Sequence, residues 1–376
     1  MKSTQILKNL TTPSLILDEE KMMRNIARLE SHVSQRGVLL RPHLKTAKCI
    51  EIAKRQLKNN NGSAAVSTLK EAEVFARAGV KDIIYAVGIS PGKLARVLEI
   101  RARGCDLSVL LDSRTQAEAV VEASRSSQDP IPGLIEIDSD GHRSGLKEDD
   151  PDIAVIGRIL HEGGAESRGV LTHAGESYHA KGAEALAAFA ERERAAAVNA
   201  AEILRREALP CPVVSVGSTP TAHFSRDLSG VTEVRAGVYV FFDLVMAGIG
   251  VCTLDDIALS VLTTVIGHQE ERDWIIIDAG WMALSSDRGT KNQSIDQGYG
   301  IVCDVDGQVL QDLIVSSVNQ EHGIITRRPG SAAELPLLPV GTRLRILPNH
   351  ACATATQFDG YVALPSNQYW PRFRGW

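Results

Sequence analysis

Three short segments gather side chains that do chemistry rather than packing. RPHLKTAK carries Arg41, His43 and Lys45 at alternate positions. A lysine at a strand end is ordinarily solvated, but one crowded by other cations has a lowered proton affinity and can act as an amine nucleophile. VGSTPT offers Gly217, Ser218 and Thr219. Glycine lets the backbone approach a ligand, and the amide and hydroxyl donors beside it suit phosphate oxygens. By itself, Gly-Ser-Thr is more often a turn with a capping hydroxyl before a helix. In PNHACAT, His350 and Cys352 stand two residues apart. On an extended segment both would point to one face, where imidazole and thiolate can share a divalent ion. Two protein ligands leave positions for water or substrate, as in a catalytic site, and the alternative is a buried cysteine beside a hydrogen-bonded histidine. Glu321 and His322 in NQEHG would support such ligands or simply form a turn.

The elements that must position these residues alternate between short apolar runs and helical spacing. Eight strands are expected, at Val38–Arg41, Ala64–Ser67, Asp82–Ala86, Asp106–Leu111, Leu134–Asp138, Gly169–His173, Val213–Val216 and Glu233–Arg235. Helices are expected between most of them, at Ala47–Leu57, at Thr68–Ala78 behind a Thr68/Glu71 capping box, and at Ala183–Arg206. This order fits a closed (β/α)8 TIM-type barrel ahead of an open doubly wound sheet. After about residue 250, segments at Ala258–His268, Asp273–Asp278, Gly300–Val305, Leu313–Val318 and Thr342–Leu347 read as a C-terminal β domain, with Arg327–Pro336 as an exposed loop. The expected domains are therefore a barrel over 12–250 and a β domain over 251–376, joined by residues 1–11.

A barrel places its site on loops leaving the C-terminal strand ends. Arg41, His43 and Lys45 follow the first strand, Asp140, His142 and Arg143 the fifth, His173 and Tyr178 the sixth, Gly217 to Thr219 the seventh, and Tyr239 and Asp243 the eighth. Barrels frequently hold phosphate after strands seven and eight. A phosphate cradle together with a reactive lysine suggests pyridoxal phosphate, whose aldehyde condenses with an amine.

Composition removes other classes. With 41 Lys and Arg against 46 Asp and Glu there is no basic excess to follow a nucleic-acid backbone. No apolar run approaches the roughly 18 residues of a membrane span, and the opening MKSTQILKNLTTPS lacks a signal-peptide core. Six scattered cysteines without a Cys-x-x-Cys pair fit a reducing compartment, so a cytoplasmic protein is expected.

TPSLILDEEKMMRNIARLE, RPHLKTAK, VSTLKEAE, IEIDSDGHRSG, THAGESY, VSVGSTPT, TEVRAGVYVFFD, DAGWMALSSDRG, NQEHG and LPNHACAT together resemble the D-serine dehydratase and D-threonine aldolase family of pyridoxal phosphate enzymes. Within it they look like the bacterial D-threo-3-hydroxyaspartate dehydratase branch, and the likeness runs from about Thr12 to Trp376. The resemblance implies an alanine-racemase-like fold and a homodimer. It places the Schiff-base lysine at Lys45, a group at the cofactor ring at Arg143, and the phosphate cradle at Gly217, Ser218 and Thr219. Tyr178 and Tyr239 would line the pocket, and a divalent ion, zinc or manganese, would fall on His350 and Cys352. Ala47 departs from the family pattern, where many relatives carry histidine or serine. Family dehydratases tend to carry His-x-Cys and aldolases His-x-Asp, so Cys352 favours elimination. D-threo-3-hydroxyaspartate would give oxaloacetate and ammonia, and D-serine would give pyruvate and ammonia. The alternatives are an aldolase releasing glycine and an aldehyde, and a non-catalytic cofactor carrier, against which Val251–Trp376 argues because such carriers lack a second domain.

Overall fold

The computed structural model describes residues 3–59, 62–332 and 334–376. The chain opens with α1 (Ser3–Asn9), β1 (Ser14–Asp18) and α2 (Glu19–Ser34). Strand and helix then alternate through β2 (Leu39–Pro42), α3 (Ile50–Gln56), β3 (Ser63–Val66), α4 (Leu69–Arg77), β4 (Asp82–Gly88) and α5 (Leu94–Arg101). The series continues with β5 (Asp106–Leu111), α6 (Arg114–Ser127), β6 (Pro132–Ile137), α7 (Asp152–Gly163), β7 (Glu166–Thr172), α8 (Ala183–Arg206), β8 (Val213–Val216), α9 (Thr219–Phe224) and β9 (Glu233–Ala236). Strands β2 to β9 form one parallel sheet in the order 2-9-8-7-6-5-4-3. A parallel bridge from His43 to Ala65 joins its two ends, so the sheet closes into the expected barrel.

Local chemistry sets the details. Thr68 caps α4 by accepting from the Glu71 amide, while the Glu71 carboxylate accepts from the Ser67 amide, one residue earlier than the box expected from sequence. The first barrel helix begins at Ile50 and not at Ala47. Lys48 takes a left-handed conformation, φ 45°, which a helix does not contain, so the residues carrying Lys45 form a separate turn.

Alternate residues of the barrel strands share one face, which holds a core of Ile84, Leu110, Leu134 and Leu171. Asp82, Asp106, Glu166 and Glu233 each open a strand and make an acidic ring at that end. Three arginines neutralise it, Arg101 by donating to Asp106 at 3.1 Å and two others more extensively. Arg41 donates through Nε to Glu233, 2.8 Å, and through both terminal nitrogens to Asp82, 2.8 and 2.9 Å; Arg168 pairs with Asp106 and Glu166. Arg41 was expected at the opposite, C-terminal mouth. Its guanidinium instead turns toward the acidic strand starts.

The remaining strands are β10 (Leu259–Gln269), β11 (Trp274–Ile277), β12 (Gly300–Cys303), β13 (Val309–Val318), β14 (Gly323–Arg327), β15 (Arg343–Pro348), β16 (Gly360–Leu364) and β17 (Gln368–Pro371). Short helix α10 (Leu244–Gly248) precedes them, and α11 (Trp281–Leu284) and α12 (Ala351–Ala355) interrupt them. The sheet order is 11-14-13-12-15-10-1-16-17, and a further β10–β11 pairing closes its first six strands into an antiparallel barrel. Glu321 and His322 lie exposed in the turn between β13 and β14. Because β1 is hydrogen-bonded between β10 and β16, compact packing groups residues up to Ile26 with Val238–Phe373. The barrel unit is Ala27–Gly237 with Arg374–Trp376, a division that differs from the boundaries at 12 and 250 expected from sequence. No helix of the described residues is long and apolar enough to cross a membrane.

Removing one side of the buried Arg41–Glu233 pair strands a carboxylate, at a cost of about 3–5 kcal/mol. Arg41→Met should lower the denaturant midpoint accordingly, and Arg41→Met with Glu233→Gln should regain part of the loss. An unchanged midpoint in the single variant would contradict the pairing's role.

Candidate active site

At the C-terminal ends of the barrel strands the expected loops converge. Lys45 is exposed in the turn after β2, with its amide 3.5 Å from Nδ1 of His43, whose Nε2 lies 3.4 Å from Ser67 Oγ. His173 directly follows β7 and donates from Nδ1 to the Gly217 carbonyl, 2.9 Å; its ring centroid is 6.4 Å from that of Tyr178. The loop after β6 meets the loop after β7 through His142 and Glu176, 2.8 Å, and through the Glu176 amide, which donates to Asp140. Arg143, on the same loop, is half exposed and lies 3.7 Å from Glu136.

From β9, Arg235 reaches the Ser215 hydroxyl at 2.6 Å and the Thr172 carbonyl at 2.5 Å. It is buried, and desolvation, which nearby Glu233 and Glu193 only partly oppose, brings its guanidinium down to about 10. Burial and then Lys45 drive His173 down to about 3 and His43 well below its ordinary value, with Arg143 and Arg235 adding to the effect. Both imidazoles are therefore neutral beside three cations. Such a field favours an anionic ligand.

Gly217 holds φ 139°, and a side-chain carbon there would lie 2.0 Å from the Arg235 carbonyl, so only glycine lets β8 and β9 approach. The donors of the Gly-Ser-Thr segment are not equally available. The Gly217 amide is taken by Glu193, 3.0 Å, and the Ser218 amide by Thr221 Oγ1, 3.0 Å. Ser218 Oγ caps α9 by accepting from the Thr221 amide, and it contacts Ser177 Oγ and Thr221 Oγ1, both at 2.9 Å. Ser177 donates to the Ala174 carbonyl, so the Ser218 proton is spent inside the protein whichever hydroxyl receives it. Thr219 Oγ1 is buried with no hydrogen-bond partner among the described residues. An orphaned hydroxyl on this loop fits a phosphate-bearing cofactor.

The metal-ligand candidates belong to the β unit, as does Tyr239, which is buried in the turn Val238–Val240. His350 and Cys352 do not share an extended segment as their spacing implied. His350 is the extended cap of α12, φ −136° and ψ 108°, and Cys352 lies within that helix. Buried Asp243 fixes the turn, accepting from the Met246 amide with one oxygen and from the Ala351 amide with the other, both at 2.9 Å. The two side chains still meet in a hydrogen bond. His350 Nδ1 lies 2.6 Å from Asp287 and donates to it, so Nε2 is the nitrogen that would turn to a ligand once its own proton is lost. Burial disfavours the imidazolium, but the Asp287 and Cys352 bonds outweigh it and push His350 up to about 11. An imidazole braced by a carboxylate, beside a thiol, is a donor set suited to a borderline divalent ion, with that proton and the thiol proton displaced on binding. The other five cysteines are buried.

No motif in the sequence marks Arg235, Glu193 or Asp287 as a site residue. Arg235 had a usable signal in its inward register position on the last barrel strand. Glu193 interrupts the alanine-rich buried face of α8, and Asp287 becomes relevant only when folding brings it to a histidine 63 residues away.

The barrel and its loops are those of a known class. The model of the alanine racemase N-terminal domain matches residues 17–245, and that of a putative serine dehydratase domain matches 258–364. The chain belongs to the alanine racemase-like family of D-serine dehydratases and their relatives. It is 54% identical to the D-threo-3-hydroxyaspartate dehydratase of Delftia sp., covering 98% of this chain and 99% of the other. The solved structure of that dehydratase superposes with a TM-score of 0.96 over 98% and 99% of the two chains, at 53% identity, and a cysteine-to-alanine mutant of it has been solved in a metal-free form. D-serine dehydratase of Dictyostelium discoideum is 28% identical over 94% of this chain and 93% of its own. D-threonine aldolase from Filomicrobium marinum is 26% identical with a TM-score of 0.80, covering 97% and 95%.

Thr219→Val should weaken pyridoxal phosphate binding about tenfold or more, as loss of a hydrogen bond to a charged group does, while leaving the melting temperature nearly unchanged. Ser218→Ala should do the reverse, losing about 1 kcal/mol of stability through the cap and little affinity. Cofactor titration and thermal melts of both variants check this, and the opposite pattern would reassign the two hydroxyls.

Proposed function

We propose that this chain is a pyridoxal phosphate- and divalent-metal-dependent dehydratase of β-hydroxy-D-amino acids, with D-threo-3-hydroxyaspartate, converted to oxaloacetate and ammonia, as its substrate. The observation that carries the proposal is full-length 54% identity to a dehydratase named for that substrate, combined with Cys352 as the partner of His350. The barrel segment would hold the cofactor and the β unit would carry the metal, in a cytoplasmic homodimer.

Lys45 would hold the cofactor through its amine and, once released by the substrate amine, take the Cα proton on its own face. Thr219 would bind the phosphate, on a loop that Gly217 and Ser218 shape, while Arg143 and Tyr178, on neighbouring loops of the barrel unit, would interact with the ring. Neutral His43 and His173 add no competing charge beside Lys45. When bound, pyridoxal phosphate would supply an electron sink for charge left at Cα, and the divalent ion a Lewis acid for the departing hydroxide. His350 Nε2 and Cys352 Sγ would be the ligands of that ion, zinc or manganese. Asp287 fixes the tautomer that exposes Nε2.

Incubation with D-serine, D-threonine and the four 3-hydroxyaspartate isomers should yield keto acid and ammonia, fastest from the D-threo isomer. Chelation should abolish turnover while the cofactor absorption persists, and Asp287→Ala should weaken metal binding roughly 10–100-fold. Glycine and aldehyde as main products would establish the aldolase instead. Cofactor binding without turnover of any of these compounds would establish the carrier.

A further inference from the structure

Glu193 stands on the buried face of α8, among Leu186, Ala190, Ala197 and Leu204. An acidic side chain in an apolar stripe is expensive unless its oxygens are satisfied. Here they are satisfied by atoms of two loops and of helix α9. Oε1 accepts from the Ala174 amide at 2.9 Å and the Gly217 amide at 3.0 Å, and Oε2 accepts from the Thr221 hydroxyl at 2.7 Å. One carboxylate thus ties the loop after β7, the loop after β8 and helix α9 to a rigid helix behind them.

The carboxylate also sets the direction of the hydroxyl chain. Because Thr221 gives its proton to Glu193, Thr221 Oγ1 is left as an acceptor for the Ser218 amide. The amides of Gly217 and Ser218 are thereby drawn inward, and Thr219 becomes the residue whose hydroxyl is left over. A glutamine could keep the two amide bonds, but its NH2 would face the Thr221 hydroxyl as a donor and reverse the chain.

We propose that Glu193 is a positioning residue for the cofactor phosphate: it preorganises the loop after β8 so that Thr219 is the donor presented to the phosphate, without itself touching the ligand. This rests on the reading that the barrel binds pyridoxal phosphate. Loss of the carboxylate should therefore be felt by a ligand with a phosphate and not by the same ligand without one. Among the described residues no cation is hydrogen-bonded to Glu193, and Arg235, which feels its charge at longer range, is held by its own bonds to Ser215 and the Thr172 carbonyl.

The test titrates the cofactor-free full chain with pyridoxal phosphate and with pyridoxal, for wild type, Glu193→Ala and Glu193→Gln, and follows imine absorption. Glu193→Ala should lower the affinity for pyridoxal phosphate about 10–100-fold while leaving that for pyridoxal within about twofold. Glu193→Gln should retain part of the phosphate preference, and it decides the matter if the alanine variant does not fold. Unchanged selectivity for phosphate in the glutamine variant, or equal losses for both ligands in the alanine variant, would overturn the positioning role. A wild-type protein that forms no imine with either compound would instead overturn the underlying cofactor reading.

Discussion

Charge buried in a barrel must meet opposite charge or a ligand, and this constraint governs both ends of the molecule's parallel sheet. At one end it is met internally. Four acidic residues open strands β4, β5, β7 and β9, and Arg41 and Arg168 answer them with short, multiply bonded contacts. At the other end, Arg235 bonds, among the described residues, to a serine hydroxyl and a carbonyl, and burial brings its guanidinium down to about 10. The apolar layer of Ile84, Leu110, Leu134 and Leu171 lies on the same face of the strands. One end is thus a closed electrostatic structure and the other is built to receive an anion.

That asymmetry explains the behaviour of the neighbouring groups. Two histidines at a conventional active-site mouth would be read as acids or bases, yet here burial and adjacent cations keep both neutral. In the proposed reaction the base is therefore Lys45. In the β unit the same constraint acts with opposite sign: Asp287 and Cys352 hold a proton on His350, and a divalent cation at that point would replace a proton that the site already stabilises.

Much of this was legible in the sequence because it depends on local periodicity. The eight barrel strands and the long α8 helix announce themselves by apolar runs and helical spacing, and their loops carry the histidines, Lys45 and the Gly-Ser-Thr segment where a barrel mouth requires them. What was not legible depends on pairing at a distance. Strands β14, β16 and β17 are short and adopt their places only through partners elsewhere in the sheet, including β1, more than three hundred residues earlier than β16. The His350–Cys352 pair was read as extended because spacing alone cannot reveal that Asp243, far upstream, captures the Ala351 amide and starts a helix. The place of Arg41 on its strand does not say to which end its long side chain turns. Glu193, in a helix rich in alanine, glutamate and arginine, has the local signature of a solvated residue, and only the loops folded over it give it a role.

The central claim is that Lys45 carries the cofactor. The most direct measurement is borohydride reduction of the holoenzyme followed by mass spectrometry of its peptides. A single phosphopyridoxyl adduct on Lys45 is the expected result. An adduct on another lysine would contradict it, and Lys48 is the informative control because it lies three residues away and is paired at 3.0 Å with buried Glu71.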